Sequence, residues 1–315
     1  MKPPRFTYYA PTSLEEALAL LRTYGTDAKL LAGGQSLVPL LNMRLLRPAV
    51  LIDLNRIAAL SYIRHEHDML AIGAMTRQRA LEREEVRRHQ PLLTAAAQLI
   101  GHFQIRNRGT VGGSLAFGNP AGELPALALL LSAQLLVAAS DGQTRTILAD
   151  AFFVGRMKTA LSPTELLIGT RFPTLPPRTG WSIQEIAQRQ SGPALVGVIG
   201  LVTLDENKRC TAARLVLFGV QDVPIRVPAV ETWLAGKAVD QVTIEHAAAL
   251  VSAHLDSFPA LTDMHASAAY RQDVAAVLTQ RVLAEATRRA CPPVETPRRG
   301  VSGGGAGGAG ISACY

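Results

Sequence analysis

The sequence predicts a soluble protein that mixes helices and strands, an α+β architecture in two or three domains. Strand-length apolar runs alternate with helical patterns in the first half of the chain. A series of strands joined by short turns begins near residue 181, and the patterns that follow have the spacing of helices. With 315 residues, 48% of them hydrophobic, the chain can bury a sizeable core.

The composition disfavours several classes of function. No apolar run approaches the ~18 residues of a membrane span, and the N-terminus lacks the apolar core of a signal peptide, so we expect a cytoplasmic protein. The net charge is +7, but the basic residues are scattered and only 5% of residues are aromatic, which disfavours nucleic-acid binding. Cys210, Cys291 and Cys314 lack the spacing of metal ligands, so redox chemistry would require an organic cofactor.

The elements before the first loops follow from local signals. Ser13 and Glu16 form a capping box that opens the first helix, which ends near Gly25. Later elements are predicted as strands at residues 29 to 32 and 50 to 54, a hairpin at 60 to 73, a polar helix capped by Thr76, and an apolar helix opened by Pro91.

Paired glycines at Gly33 and Gly34 lie between the first strand and a short predicted helix that runs from Ser36 to Leu46. Adjacent glycines let a ligand approach the main chain without meeting a Cβ atom, and we expect the Ser36 side chain to cap the helix. Successive main-chain N–H groups in such a turn can bind an anion. The loop is therefore a candidate phosphate site, and a plain turn is the alternative interpretation.

A second stretch, residues 104 to 116, repeats this arrangement. A β-branched approach leads to Gly112-Gly113 and then to Ser114-Leu115, beside basic and amide side chains. Two such loops could each offer main-chain N–H groups to one pyrophosphate. Two unrelated turns remain the alternative.

The rest of the chain is predicted to form a helix and a hairpin, and after a boundary it continues as strands followed by helices. A buried helix at 126 to 131 precedes a hairpin that turns at Asp141-Gly142, and prolines near residues 173 to 177 suggest a boundary. Strands are predicted at 181 to 187, 195 to 204 and 211 to 219, and helices at 229 to 235, 243 to 254 and 266 to 289. The Gly-rich tail at 291 to 315 is expected to be disordered.

Several motifs in a fixed order carry a family resemblance. The strongest are Ala-Gly-Gly-Gln-Ser-Leu at 32 to 37 and Arg-Asn-Arg-Gly-Thr-Val-Gly-Gly-Ser-Leu-Ala at 106 to 116, supported by Glu-Leu-Leu at 165 to 167 and by Asp263 with residues 265 to 271. Over about residues 4 to 287 the chain resembles the flavin-binding medium subunits of the molybdenum hydroxylases. That family includes carbon monoxide dehydrogenase medium chains and the flavin domain of xanthine dehydrogenase.

The resemblance implies a vanillyl-alcohol-oxidase (PCMH-type) FAD-binding fold. In that fold two α+β subdomains hold FAD between them, and a C-terminal domain with a three-stranded antiparallel sheet and helices follows. We therefore expect FAD-binding subdomains at residues 1–56 and 57–175, a C-terminal α+β domain at 176–290 and a disordered tail at 291–315.

The resemblance also implies a set of FAD-binding residues, carried over by position. The first loop contributes Leu31, Ala32, Gly33, Gly34, Gln35, Ser36 and Leu37, and the second region contributes Arg106, Asn107, Thr110, Gly112, Gly113 and Ser114. Glu123 is expected at the ribose or adenosine end, and Leu167 completes the set. The alternatives are a helix N-terminal carboxylate for Glu123 and ordinary loop positions for Arg106 and Asn107. No catalytic or metal-binding residue is expected.

One stretch departs from the family pattern. The family commonly has Arg-Arg-x-Gly-Asp-Phe/Tyr-Ala in its C-terminal domain, with the aromatic residue over the isoalloxazine ring. This chain has Arg-Gln-Ser-Gly-Pro-Ala at 189 to 194, without the acidic or the aromatic residue. The pyrophosphate loops are unaffected, so FAD binding is still expected.

The implied function is electron transfer through FAD. A large molybdenum-cofactor subunit would hydroxylate the substrate, two-iron two-sulfur clusters on a small subunit would pass the electrons on, and FAD here would deliver them to an external acceptor. A dimer of such heterotrimers is expected. The alternatives are a stand-alone FAD-dependent oxidoreductase of the same fold, which would need its own base, and a non-catalytic assembly subunit that has lost FAD.

Overall fold

The computed structural model describes residues 2–258 and 260–291. The helices are α1 (Leu14–Tyr24), α2 (Leu37–Asn42), α3 (Glu84–His89), α4 (Pro91–Leu99), α5 (Phe103–Arg108), α6 (Val111–Phe117), α7 (Glu123–Leu130), α8 (Ala149–Phe152), α9 (Pro228–Leu234), α10 (Gln241–Ser257) and α11 (Ala268–Ala290). The strands are β1 (Thr7–Tyr9), β2 (Ala28–Leu31), β3 (Val50–Asp53), β4 (Ile63–Glu66), β5 (Met69–Gly73), β6 (Gln134–Ala139), β7 (Thr144–Leu148), β8 (Phe153–Gly155), β9 (Lys158–Thr159), β10 (Glu165–Pro173), β11 (Thr179–Ala187), β12 (Ala194–Leu204), β13 (Cys210–Phe218) and β14 (Ile225–Arg226). The predicted disordered tail lies, apart from Cys291, outside the described residues.

A parallel three-stranded sheet, ordered β1-β3-β2, opens the chain. The predicted capping box is confirmed: Ser13 Oγ accepts a hydrogen bond from the Glu16 N–H at 3.1 Å, and the Glu16 carboxylate accepts one from the Thr12 N–H at 2.9 Å. Helix α1 buries Leu21 in one apolar cluster with Ile52 of β3. The cap and this cluster fix α1 against the sheet.

A five-stranded antiparallel sheet follows, ordered β4-β5-β10-β6-β7. The predicted hairpin is confirmed as β4 and β5, which turn through His67 at φ 56°. Helix α7 is apolar on all sides, and its residues from Leu124 to Leu130 are all buried. Leu115 of α6 and Leu93 of α4 belong to the same core cluster, so these helices form a layer on the sheet.

The third sheet is antiparallel, with the order β11-β12-β13-β14. Its three long strands are the three predicted from the sequence, with small shifts at their ends, and the two-residue β14 adds a fourth. The three predicted helices that follow are α9, α10 and α11. Helix α11 packs on β11 and β12, and its N-cap is Ser267, whose Oγ accepts from the Tyr270 N–H at 3.2 Å.

The third sheet and α7 share one core. Phe218 and Leu127 belong to the same buried cluster. Arg214 donates to the Leu130 carbonyl at 2.9 Å, and the Gly219 N–H donates to the Pro120 carbonyl at 2.9 Å. The turn before α7 is therefore fixed against the end of β13. Among the residues that the structure covers, no helix has both the length and the apolar character that crossing a bilayer requires.

Candidate functional site

The two predicted glycine loops lie in direct contact. A Cβ atom at Gly33 would lie 2.3 Å from the Arg108 carbonyl oxygen and 2.7 Å from the Gly109 Cα atom. A Cβ at Gly113 would lie 3.3 Å from the Ala32 Cβ. The first loop can pack against the second only because Gly33 has no side chain.

The parallel first sheet positions the first loop. Leu31, the last residue of β2, pairs with Asp53, the last residue of β3, so the chain leaves both strands at one edge. Gly34 has φ +76°, which turns the chain into α2, and the Val38 N–H closes the turn onto the Gly34 carbonyl at 2.9 Å. Within the described residues, no hydrogen bond is donated by the backbone N–H groups of residues 33 to 36. The loop thus keeps four adjacent donors for a ligand.

The prediction that Ser36 caps α2 through its side chain is wrong. Ser36 does occupy the N-cap position, but it makes no side-chain capping bond. Its φ of −97° and ψ of −43° lie in the helical region, whereas a capping serine needs an extended backbone to turn its Oγ toward the helix N–H groups. The Ser36 hydroxyl is left for another partner.

The second loop differs from the first, because its main-chain donors are used within the protein. The Gly112 N–H donates to the Ala74 carbonyl at 2.8 Å, and the Gly113 N–H donates to Thr110 Oγ1 at 3.0 Å, which caps α6. The Ser114 N–H donates to the Thr110 carbonyl at 3.1 Å. These three N–H groups therefore have partners within the protein, and the structure favours the first loop as the source of main-chain donors.

A cavity of about 200 Å³ opens beside the contact of the two loops. Its lining consists of the predicted residues Leu31, Ala32, Gly33, Gly34 and Gln35, with Val38, Asp53, Asn55 and Arg108. Arg108 brings positive charge to this wall. Burial would raise the pKa of Asp53, but hydrogen bonds from Tyr8 and Asn55, together with the charge of Arg108, hold that pKa below its ordinary value.

Arg106 and Asn107 lie apart from this cavity. The Arg106 side chain is buried, where it pairs with Glu82 at 2.7 Å and donates to the Gly101 carbonyl at 2.7 Å. Asn107 lines a separate surface cavity of about 420 Å³, together with Arg77 and other residues of the 77 to 83 segment. The guanidinium group of Arg106 is thus engaged inside the protein.

Glu123 and Leu167 line neither of the two cavities. Leu167 is a core residue of β10, with 5% of its surface exposed. Glu123 is the first residue of α7, and burial raises its pKa to about 7. Burial also raises the pKa of Glu185 in β11 to about 8, and the charge of Glu123 adds to that shift. The two carboxyl groups therefore interact across the junction of α7 with the third sheet.

The stretch that departs from the family pattern forms the turn between β11 and β12. Ser191 has φ +60°, and the Gly192 N–H donates to the Arg189 carbonyl at 3.0 Å. Arg189 and Pro193 are exposed. The turn presents small and polar residues where the family pattern has an acidic and an aromatic side chain.

Three residues at the loop contact were missed by the sequence interpretation: Asn55, Arg77 and Arg108. Arg108 belongs to the same Arg-Asn-Arg motif as the predicted Arg106 and Asn107. Recognising α5 as a helix would have separated the two arginines onto different faces. No local signal marks Asn55 or Arg77, which reach the site through contacts between distant parts of the chain.

Comparisons with known proteins give a consistent result. The family model described as "FAD binding domain in molybdopterin dehydrogenase" matches residues 4–175, and the model described as "CO dehydrogenase flavoprotein C-terminal domain" matches residues 181–286. The chain is similar to 6-hydroxypseudooxynicotine dehydrogenase complex subunit alpha from Paenarthrobacter nicotinovorans, with 39% identity over 94% of this chain and 99% of the relative. It is also similar to the carbon monoxide dehydrogenase medium chain of Hydrogenophaga pseudoflava, with 37% identity over 92% of this chain and 99% of the relative.

Solved structures support the same fold. A structure of carbon monoxide dehydrogenase from Hydrogenophaga pseudoflava matches with a TM-score of 0.87 and 36% identity, over 92% of this chain and 99% of that chain. Quinoline 2-oxidoreductase from Pseudomonas putida 86 matches with a TM-score of 0.87 and 34% identity, over 92% of this chain and 99% of that chain. The predicted family resemblance and fold class are confirmed.

Proposed function

We propose that this chain, which belongs to the family of FAD-binding medium subunits of the molybdenum hydroxylases, holds the FAD pyrophosphate on its first glycine loop, with Arg108 as the counter-charge. The chain is a flavoprotein subunit of an oxidoreductase complex. Bound FAD supplies the redox chemistry, since it can take up electrons and release them to an acceptor. The residues of this chain bind and orient it.

The observation that carries the proposal is the set of unused donors at one wall of the smaller cavity. Residues 33 to 36 have N–H groups without hydrogen-bond partners in the described part of the chain, and the Ser36 hydroxyl makes no capping bond. Arg108 lines the same cavity. A pyrophosphate needs several donors and a positive charge, and bonds to ionised oxygens are stronger than neutral ones. The donor set fits that group.

The second loop has a different role in this proposal. Gly112 and Gly113 let α6 pack closely against Ala74 and Ala32, while Thr110 caps that helix. These residues set the shape of the site. Because the Thr110 hydroxyl caps α6, Ser114 is the residue of this loop whose hydroxyl we propose as a donor to FAD. The second loop thus acts through packing more than through main-chain donors.

The remaining predicted positions divide between contact and support. We keep Glu123 as a partner for vicinal hydroxyls of FAD, because a carboxyl group can bond to both. Arg106 supports the backbone before the second loop through its bonds to Glu82 and the Gly101 carbonyl. Leu167 is a buried residue of the core that includes α7 and the five-stranded sheet. We infer no acid, base or nucleophile for this chain.

The complex supplies the other redox centres. The chain is the medium subunit of a multi-subunit molybdenum hydroxylase, whose large and small subunits carry the molybdenum cofactor and the iron–sulfur clusters. We propose that electrons reach FAD from those clusters and leave to an external acceptor, and that the complex is a dimer of heterotrimers. We also propose residues 1–56, 57–175 and 176–290 as three units, since each contains one of the larger sheets.

Substitution of the two side chains that line the site tests the proposal. Ser36→Ala and Arg108→Met should each weaken FAD binding by about tenfold or more, because each removes a bond to a charged group. The dissociation constant follows from the quenching of FAD fluorescence, and flavin content follows from absorbance after gel filtration. These variants are preferable to Gly34→Val, which would be strained at φ +76° whether or not FAD binds there.

Arg22→Met is the matched control for charge, since Arg22 is exposed on α1 and lines neither cavity. It should retain full FAD affinity. If Ser36→Ala and Arg108→Met also bind FAD with unchanged affinity, the assignment of the pyrophosphate to this loop is wrong.

A further inference from the structure

A side-chain bridge joins the two glycine loops where they touch. Asn55 Nδ2 donates to the Ala32 carbonyl at 2.9 Å, and Arg77 Nη2 donates to Asn55 Oδ1 at 2.6 Å. Arg77 Nη1 donates to the Arg108 carbonyl. The bridge thus connects Ala32, which precedes Gly33-Gly34, to Arg108, whose cationic side chain lines the cavity.

The bridge is anchored to the first sheet. Asp53 Oδ1 accepts a hydrogen bond from the Asn55 N–H at 2.9 Å, and the Tyr8 hydroxyl donates to Asp53 Oδ2 at 2.6 Å. Tyr8 lies in β1 and Asp53 ends β3, which pairs with it. Asp53 therefore holds Asn55 in place, with the amide oxygen of Asn55 toward Arg77 and the amide nitrogen toward the first loop.

The bridge also concentrates positive charge beside the cavity. Burial lowers the pKa of Arg77, and the charge of Arg108 lowers it further, while Asp53 opposes this effect. Two guanidinium groups thus share one nearby carboxylate. An anion bound between the first loop and Arg108 would reduce the repulsion between the two arginines.

Arg77 itself does not line the smaller cavity, whereas Asn55 and Arg108 do. Its two bonds hold the backbone of Arg108 and the amide of Asn55. Since the loops already meet with no space for a Cβ at Gly33, a shift of either backbone would change the separation between the first-loop donors and the Arg108 side chain.

We infer that Asn55 and Arg77 are positioning residues, which set the spacing between the N–H groups of the first loop and the Arg108 guanidinium so that both bind one pyrophosphate. The inference rests on the proposed function, because it assumes that the pyrophosphate lies between these groups. It adds a determinant of FAD affinity that lies outside both glycine motifs and acts through Arg108.

The test measures FAD binding by the purified multi-subunit complex after reversible removal of the flavin. Arg77→Met and Asn55→Leu should each weaken FAD binding by about tenfold or more, because each breaks the bridge. Arg77→Lys should recover part of the loss, since one ammonium group can bond to the Arg108 carbonyl but cannot also hold Asn55 in the same geometry. Arg83→Met, at an exposed arginine nearby, is the control and should bind FAD normally.

A double variant distinguishes positioning from direct attraction. If Arg77 acts through Arg108, the loss of affinity in Arg77→Met with Arg108→Met should be clearly smaller than the product of the two single losses. Multiplicative losses would overturn the inference, because they would mean that Arg77 attracts FAD independently. A lowered thermal midpoint of the FAD-free complex with unchanged FAD affinity in Arg77→Met would also overturn it.

The outcomes separate this inference from the function on which it rests. Normal affinity in Arg77→Met and Asn55→Leu, together with weak binding in Arg108→Met, would reject the bridge and keep the pyrophosphate site. Normal affinity in Arg108→Met and Ser36→Ala would reject the site itself.

Discussion

Glu185 is a half-buried carboxyl group whose environment favours the neutral form. It lies in β11 opposite Gly197, and its Oε2 atom is buried without a hydrogen-bond partner among the described residues. Burial, and then the charge of Glu123, raise its pKa to about 8. At neutral pH the side chain is therefore mostly protonated, so the junction avoids two adjacent buried charges.

This raised pKa makes stability depend on pH. A carboxyl group whose pKa is raised by folding stabilises the protein fully below its unfolded pKa, and that contribution is lost as the pH rises toward about 8. Glu185→Gln keeps the shape but cannot ionise. We expect the variant to be more stable than the parent at pH 8.5, by about 1–2 kcal/mol, with a smaller difference at pH 5.5. Thermal unfolding at the two pH values measures this.

The control for that experiment is Glu206→Gln, because the Glu206 side chain is 86% exposed. It should give little change at either pH. An equal loss of stability in Glu185→Gln at both pH values would contradict the ionisation argument and indicate a packing defect instead.

The arginines of the second loop illustrate the limit of sequence interpretation at single residues. The approach to Gly112-Gly113 has a β-branched residue and suggests a strand, in which Arg106 and Arg108 would share a face. It is instead helix α5, so Arg106 turns into the protein toward Glu82 and Arg108 lines the cavity. The motif was found from the sequence, but the choice between its two arginines depended on the secondary structure.

At the scale of elements, Arg271 connects α11 to the third sheet through side-chain hydrogen bonds. Its Nη1 donates to the Leu195 carbonyl of β12 and, at 2.8 Å, to the Gly219 carbonyl after β13. Its Nη2 donates to Asp263 at 2.7 Å. Only 3% of Arg271 is exposed, so water has little access to its bonds with the two carbonyl groups, whereas the Asp263 side chain is 38% exposed.

Arg271→Met should therefore destabilise the protein by about 3 kcal/mol, because it leaves the Leu195 and Gly219 carbonyl groups without this donor and removes the ion pair with Asp263. The midpoint of thermal unfolding, compared with that of the parent chain, measures the loss. Arg281→Met on the same helix is the control, since Arg281 is exposed, and it should change stability by less than about 0.5 kcal/mol. Equal effects of the two substitutions would contradict the role of Arg271.

Long elements with a clear period were predictable, and short ones set by tertiary contacts were not. The strands β11 to β13 and the helices after them follow directly from alternation and helical spacing. Thr76, predicted as a helix cap, instead bonds through Oγ1 to the Tyr62 backbone, and a 3₁₀ turn at Gln78–Glu82 precedes α3. Bonds between the two segments that flank the β4–β5 hairpin outweighed the local capping preference there.

At the scale of the whole molecule, the site depends on parts of the chain that are far apart in sequence. The first loop comes from the parallel sheet, Asn55 follows β3, and Arg77 follows β5. The two glycine motifs could be recognised because each is local. Asn55 and Arg77 could not be recognised from the sequence, because their contacts form only when β2, β3 and α5 come together in the folded protein.

The complete assembly should divide its cofactors among different subunits. An affinity tag on this chain should recover a large and a small subunit, with molybdenum and iron in the complex, as expected for a medium subunit of this family. The chain separated from its partners should retain FAD but hold neither metal, because the complexes of this family carry molybdenum and iron–sulfur clusters on the partner subunits. Metal analysis and the flavin absorbance of both preparations measure this. Recovery of the chain alone from its native cells, or iron bound to the separated chain, would contradict the division of cofactors among subunits.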